Sequence, residues 1–181
     1  MTVSLVEFVI QITSSINIFL CKILASFPFH LTLSKLPLMV AELSLQIINN
    51  RPEIRNLRNH FDSFAKDNEL PTKVIQDVQL ALDEVVTNIV EYGYDDDDTH
   101  MIDVKFKFEN RSLQINIIDD ANPYNIIDKE KPDISQSLDD KPVGGLGIHL
   151  VKHLMTNIGY EYKDGKNHLS LTRLLTEGEM D

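Results

Sequence analysis

The chain has 181 residues and a mass of 20.7 kDa, with 43% apolar and 25% charged residues. This is globular composition, long enough for one domain to bury a full core without disulfides or a structural metal. Its 17 Lys+Arg against 28 Asp+Glu give a net charge of −11, which argues against a broad nucleic-acid-binding face, since such a face needs a basic stripe to replace phosphate counterions. The lone Cys21 excludes an internal disulfide and a cysteine-rich zinc site, and nothing requires an oxidising compartment.

Charge is unevenly spread. Only Lys22, Lys35 and Glu7 carry formal charge in the first 40 residues, so the remainder holds a net −12. Phe8 to Cys21 is uncharged but covers only 14 residues, diluted by Gln11, Thr13, Ser14, Ser15 and Asn17. A spanning helix needs about 20 mostly apolar residues. A secretory signal would begin with positive charge and end in small residues, where this chain has Phe27-Pro28-Phe29. Residues 1–38 therefore read as an extension. It is either weakly structured, with Met39 opening the domain, or an amphipathic segment for a membrane surface or partner; the first reading is preferred. The domain is expected over residues 39–176.

Ala41 to Ile48 alternates as a strand, with Leu43, Leu45 and Ile47 on one face. Pro52 opens a helix to Asn68 whose apolar positions are Ile54, Leu57, Phe61 and Phe64. Pro71 opens a longer one to about Tyr92, with Val74, Val78, Ala81, Leu82, Val85 and Ile89 inward and Gly93 as its stop. The period then drops to two: Ile102, Val104, Phe106 and Phe108 alternate with Asp103, Lys105, Lys107 and Glu109, and Leu113 to Asp119 returns after a turn. Residues 120–143 show little periodicity, which is long for a structureless loop and points to function. Gly144-Gly145-Leu146-Gly147 leads into a helix expected over Ile148 to Thr156. A hairpin built on Tyr160-Glu161-Tyr162, Asp164-Gly165 and Leu169 to Thr172 closes the chain. The expected class is α+β, a two-layer sandwich of a mixed, mostly antiparallel sheet with helices on one face.

Three clusters carry possible chemistry. Glu84 and Asn88 lie four apart on the second helix, so they stack about 6 Å apart beside the apolar stripe. An acid able to accept a proton beside an amide oxygen able to ligate a hard cation suits a Mg²⁺-nucleotide. Asp119 ends a strand, where a carboxylate can accept a hydrogen bond from an exocyclic amine such as that of adenine. Gly144, Gly145 and Gly147 precede a helix, where backbone amides and the helix terminus suit phosphate. Taken singly, a solvated helix face, a turn and a hinge explain the same residues. His149 and His153 are four apart but lack an intervening Glu and an obvious third ligand, so a metal site there is disfavoured. No Gly-x-x-x-x-Gly-Lys-Ser/Thr loop occurs, which excludes a P-loop.

In order and spacing, these clusters resemble the GHKL ATP-binding superfamily, and within it the anti-sigma factor serine/threonine kinases of bacterial partner-switching systems. Asp83-Glu84-Val85-Val86-Thr87-Asn88 with Glu91-Tyr92-Gly93-Tyr94 is similar to their first motif. Val143 to Val151, followed by Asp164-Gly165-Lys166-Asn167, is similar to their C-terminal half. The resemblance covers about residues 41–175 and implies a Bergerat-type fold with ATP and Mg²⁺ as cofactors. It implies that Asn88 ligates Mg²⁺ and that Glu84 orients or deprotonates an acceptor serine. Asp119 would take the adenine amine, Gly145 and Gly147 would line the phosphates, and Thr172 would support the adenine end. Ala121, Pro123 and Leu146 are further implied nucleotide contacts, and residues 120–143 the nucleotide lid. The sequence departs from the usual Asp-x-Gly at Asp119-Asp120-Ala121, where an added methyl is expected to reduce ATP affinity, and Asn125 stands where Asp is common.

The implied function is serine phosphorylation of an antagonist protein, sequestration of a sigma factor, or both, by a cytoplasmic homodimer that engages neither nucleic acid nor membrane directly. The alternative is a non-catalytic, ATP-dependent protein-binding module. No helical hairpin with a phosphoacceptor histidine precedes the domain, which disfavours a histidine kinase, and no second domain of the gyrase or Hsp90 kind is expected.

Overall fold

The computed structural model describes residues 40–128 and 145–179. The N-terminal extension expected from the sequence, and most of the expected lid, lie outside the described residues.

Five strands and three helices alternate along the described chain: β1 (Ala41–Ile48), α1 (Arg51–Asp67), α2 (Thr72–Tyr92), β2 (Met101–Glu109), β3 (Ser112–Asp119), α3 (Gly145–Leu154), β4 (Asn157–Lys163) and β5 (Lys166–Leu174). The strands form one sheet in the order β1-β2-β3-β5-β4. Every pairing is antiparallel, so the α+β class holds while the sheet is not mixed. Two tight turns set its registers. Asn110 and Arg111 (φ 53° and 60°) join β2 to β3, and Asp164 and Gly165 (φ 54° and 76°) join β4 to β5. Consecutive left-handed residues match the twist of a two-residue hairpin, which is why Asp-Gly suits the second.

Alternation sends one face of each strand to the helices. Leu43 and Ile47, Ile102, Val104 and Phe106, Leu113, Ile115 and Ile117, and Leu169 and Leu171 are buried there. Against them pack Leu57, Phe61 and Phe64 of α1, Val74, Val78, Ala81, Leu82, Val85 and Val86 of α2, and Ile148 and Val151 of α3. Helix α1 begins at a side-chain cap, with Glu53 N donating to Asn50 Oδ1 at 3.1 Å. The opposite sheet face carries polar pairs such as Lys105 with Glu42.

Helix α3 starts at Gly145, three residues before the position expected for it, and ends at Leu154. Of the glycines that read as a lead-in, Gly145 and Gly147 lie in its first turn.

The rings of Phe61 and Phe106 stack with centroids 5.1 Å apart, and both side chains are fully buried. Phe106→Ala should therefore lower unfolding free energy by about 3–5 kcal/mol, read by urea denaturation. A loss under about 1 kcal/mol would mean that this layer contact does not hold the helices to the sheet.

Candidate active site

Burial of its apolar stripe fixes the rotation of α2, which leaves Glu84 and Asn88 half-buried on the flank facing α3. Asn88 Nδ2 donates to the Glu84 carbonyl at 2.7 Å and to Glu84 Oε1 at 3.0 Å. The two groups are thus one unit: the amide NH₂ is held by Glu84, and Asn88 Oδ1 is left as the acceptor for a hard cation.

Gly147 lies directly over this pair. A β-carbon at position 147 would overlap the Glu84 carboxylate, so only glycine lets the first turn of α3 meet the acid this closely. Backbone amides of residues 145–147 have no intrahelical acceptor, and a helix N-terminus carries partial positive charge. A cation ligand, a carboxylate and an anion-favouring helix end in one place fit the metal and phosphates of Mg-ATP. No group of three or more His, Cys, Asp or Glu among the described residues can hold a metal, so a cation at Asn88 would take its other ligands from phosphate and water.

The second part of the site sits at the end of β3. Asp119 is buried, 3% exposed, and its Oδ1 accepts from Ala121 N at 3.0 Å and from Asn167 Nδ2 at 2.7 Å. Among the described residues no donor reaches Oδ2, which remains available to an amine. Burial pushes the Asp119 carboxyl above the usual carboxylate range, opposed by the bonds from Asn167 and Ala121.

Asn167 organises this corner. Its Nδ2 is shared with the carbonyls of Ala121 (3.0 Å) and Asn122 (3.3 Å), and its Oδ1 accepts from Tyr160 OH (2.7 Å) and Tyr124 N (3.4 Å).

The two parts meet at the end of α2. Asn122 N donates to Gly93 O at 2.8 Å, and a β-carbon on Gly93 would fall 2.9 Å from the Ala121 methyl. The methyl that departs from the usual motif is therefore given room by the missing side chain at position 93. Gly93 has right-handed backbone, φ −81°, so close approach rather than a left-handed cap accounts for glycine there.

The structure thus brings Glu84, Asn88 and Gly147 together, with Gly145 and Leu146 in the same helix turn. It places Asp119 and Ala121 beside the end of α2, with Pro123 exposed in the adjoining turn. It does not bring in Thr172. Thr172 pairs with Gln114 while Asn167 pairs with Asp119. Five residues of strand set Thr172 about 17 Å away, on the sheet face opposite Leu171 and Arg173. The residue beside the expected adenine acceptor is Asn167. Counting from the Asp164-Gly165 turn would have found it, since that turn fixes where β5 begins.

A further buried group was not foreseen. Asp77, 6% exposed, pairs with Lys73 and lies 3.7 Å from Arg173, which also pairs with Glu179. Lys73, Asp77 and Arg173 line a crevice of about 310 Å³ with His153 and Thr156, at the end of α2 away from Gly93.

An antiparallel sheet covered on one face by helices, with a carboxylate–amide pair under a glycine-opened helix, defines the ATPase domains of the histidine kinase type. Residues 49–173 match the histidine kinase-like ATPase domain family, and the chain belongs to it. Among known proteins it is similar to the serine/threonine-protein kinase BtrW of Bordetella bronchiseptica, 32% identical over 93 residues, 51% of this chain and 66% of that one. It is also similar to the serine-protein kinase RsbW of Bacillus licheniformis, 31% identical over 112 residues, 59% of this chain and 69% of that one. The chain thus spans about two thirds of the relatives it matches. The crystal structure of the RsbU and RsbW domains of Rv1364c from Mycobacterium tuberculosis shares the fold. Its TM-score is 0.52 at 16% identity, over 75% of this chain and 32% of that chain.

Asn167→Ala removes a donor from a buried carboxylate and should cost about 1–3 kcal/mol by urea denaturation. Thr172→Ala should stay within about 0.5 kcal/mol. Equal losses would remove Asn167 from its organising role.

Proposed function

We propose that this protein is an ATP-dependent serine-protein kinase of a bacterial partner-switching pathway, which phosphorylates a serine of an antagonist protein, sequesters a sigma factor, or does both. The observation that carries this reading is the packing of Gly147 on Glu84, with Asn88 bonded to the same carboxylate. The names of the RsbW and BtrW relatives support it. The same reading makes the protein a cytoplasmic homodimer whose partners are proteins rather than nucleic acid or membrane. Its acidic balance agrees with this, and no helix among the described residues is long and apolar enough to cross a membrane.

Bound Mg-ATP supplies the transferable phosphoryl group. Asn88 Oδ1 would ligate the metal, and the amides of Gly145, Leu146 and Gly147 would hold phosphate oxygens. Asp119 Oδ2 would accept from the adenine amine, with Ala121 and Pro123 bounding the base. Glu84 Oε1 is occupied by Asn88, which leaves Oε2 to receive the acceptor serine hydroxyl. As the hydroxyl oxygen bonds to the γ-phosphorus, the bond from that phosphorus to the β,γ-bridging oxygen would break and release ADP, and the hydroxyl proton would pass to Glu84.

Three substitutions test the roles. Glu84→Gln is nearly isosteric and should keep nucleotide and partner binding while lowering phosphoryl transfer by roughly 10²–10⁴-fold. Asn88→Ala should weaken Mg-ATP binding by much more than it weakens fold stability. Gly147→Ala should leave the protein folded, because the group it strikes is the end of a flexible side chain, yet displace Glu84 and lower transfer more than nucleotide affinity. Partner proteins captured with and without ATP, then followed by labelled-phosphate transfer and phosphosite mapping, supply the readout. Transfer that is equal in wild type and Glu84→Gln removes Glu84 from the mechanism. No transfer by wild type, with ATP-dependent capture retained, makes the protein a non-catalytic binding module.

A further inference from the structure

The turn that carries Asp119 and Ala121 is tied to the rest of the domain by His100, which neither the expected motifs nor the proposed mechanism uses. His100 immediately precedes β2. Its backbone N donates to Asn49 Oδ1 at 3.0 Å and its carbonyl accepts from Asn49 N at 3.1 Å, so the connection between β1 and α1 fixes its position. Its ring stacks on Tyr94, with centroids 4.1 Å apart and planes 19° apart. Nε2 lies 2.9 Å from Asp96 Oδ1, in the connection leaving α2. Nδ1 lies 3.2 and 3.3 Å from the two carboxylate oxygens of Asp120, next to Asp119. A neutral imidazole has one N–H and one lone pair, so it would set that lone pair against a carboxylate. The imidazolium donates from both nitrogens.

We propose that His100 is a positioning residue for the nucleotide-binding turn: as the imidazolium it clasps Asp96 to Asp120 and holds Asp120–Asn122 against the end of α2, and loss of that proton loosens the turn and weakens nucleotide binding. This rests on the ATP-binding reading of the site above.

The two charged groups that contact the ring are both acidic, Asp96 and Asp120. The connection after α2 presents Asp96, with Asp98 N bonded to its Oδ1 at 3.0 Å, and Asp95, which holds Asn122 Nδ2 at 2.8 Å. The end of β3 presents Asp119 and Asp120, and the β1–α1 connection only the neutral Asn49. Tyr94 stays protonated throughout, because burial first and the Asp119 and Asp120 charges next push its hydroxyl far above its ordinary value. The bonds to Asp96, then Asp120, raise His100 above its ordinary 6.5. A raised folded value means that the clasp is complete below 6.5 and is lost as pH rises through the raised value.

The carboxylates are half exposed, Asp96 54% and Asp120 46%, so the effect is that of a partly solvated pair. Wild-type affinity for Mg-ATP should fall about two- to fivefold between about pH 6 and 9. His100→Gln should be flat at the weaker value, and Asp96→Asn should lower the His100 titration midpoint seen in ring proton resonances. Calorimetric titration of the full chain with Mg-ATP and a non-hydrolysable analogue, beside thermal melts at each pH, reads all three proteins. Parallel affinity profiles in wild type and His100→Gln, or an unmoved His100 midpoint in Asp96→Asn, would overturn the proposal. If wild type binds no nucleotide at any pH, the kinase reading fails instead. The clasp is then judged by the melts: a wild-type lead over His100→Gln that shrinks as pH rises upholds it, and a constant lead overturns it.

Discussion

The Glu84 carboxylate occupies the volume that any β-carbon at position 147 would need, and the remainder of the site is arranged around that exclusion. Helix α3 meets the Glu84 carboxylate this closely with its first turn because Gly147 presents bare backbone there. The close approach brings the unsatisfied amides of a helix N-terminus beside an acid and an amide that are already bonded to each other. Anion-favouring backbone and a proton acceptor would otherwise be kept apart by a shell of side chain. The core makes the same demand from the other side: Ile148 and Val151 are buried, so α3 cannot turn to relieve the contact.

Helix α2 acts as a ruler for both halves of the site. Glu84, Asn88 and Gly93 follow one another along a single rigid rod, about 6 and 7.5 Å apart along its axis, and Gly93 carries the Ala121 turn on its carbonyl and bare Cα. The spacing between Asn88, the proposed metal ligand, and Asp119, the proposed acceptor for an amine, is thereby set by helix geometry rather than by a loop. The far end of the same helix is held by a different device, the pairing of the buried Asp77 with the exposed Lys73 and its approach to Arg173. A charge withdrawn from water so far from the proposed chemistry rewards no catalytic step, and it fixes where α2 begins relative to β5.

Elements whose signal is local were legible in the sequence. Period-two alternation gave β1 to β3 close to their bounds, and the apolar spacing of α1 and α2 placed their buried faces, because burial of one side is what those patterns encode. Features set by contacts between distant residues were not. Glycines 145 and 147 read as a break before a helix, since a local reading counts their cost in helix and cannot see the Glu84 carboxylate that requires one of them. Gly93 read only as the stop of α2, whereas a β-carbon there would strike Ala121, far along the chain, as well as the Ile89 carbonyl. Thr172 and Asn167 lie on one strand, and the register against β3 shows that Asn167 is the one that meets Asp119. The acid–amide pair of Glu84 and Asn88 lay within one helical turn and was visible for that reason.

The aromatic content has an optical consequence. The chain has no tryptophan and five tyrosines, at positions 92, 94, 124, 160 and 162, so its near-ultraviolet signal comes almost wholly from them. Three of the five border the Asp119 corner: Tyr94 follows Gly93 and stacks on His100, Tyr124 donates its backbone amide to Asn167, and Tyr160 donates its hydroxyl to the same side chain. Tyrosine emission and circular dichroism of the unlabelled protein therefore report chiefly on this corner and little on the aliphatic core, which makes the unmodified chain its own local probe.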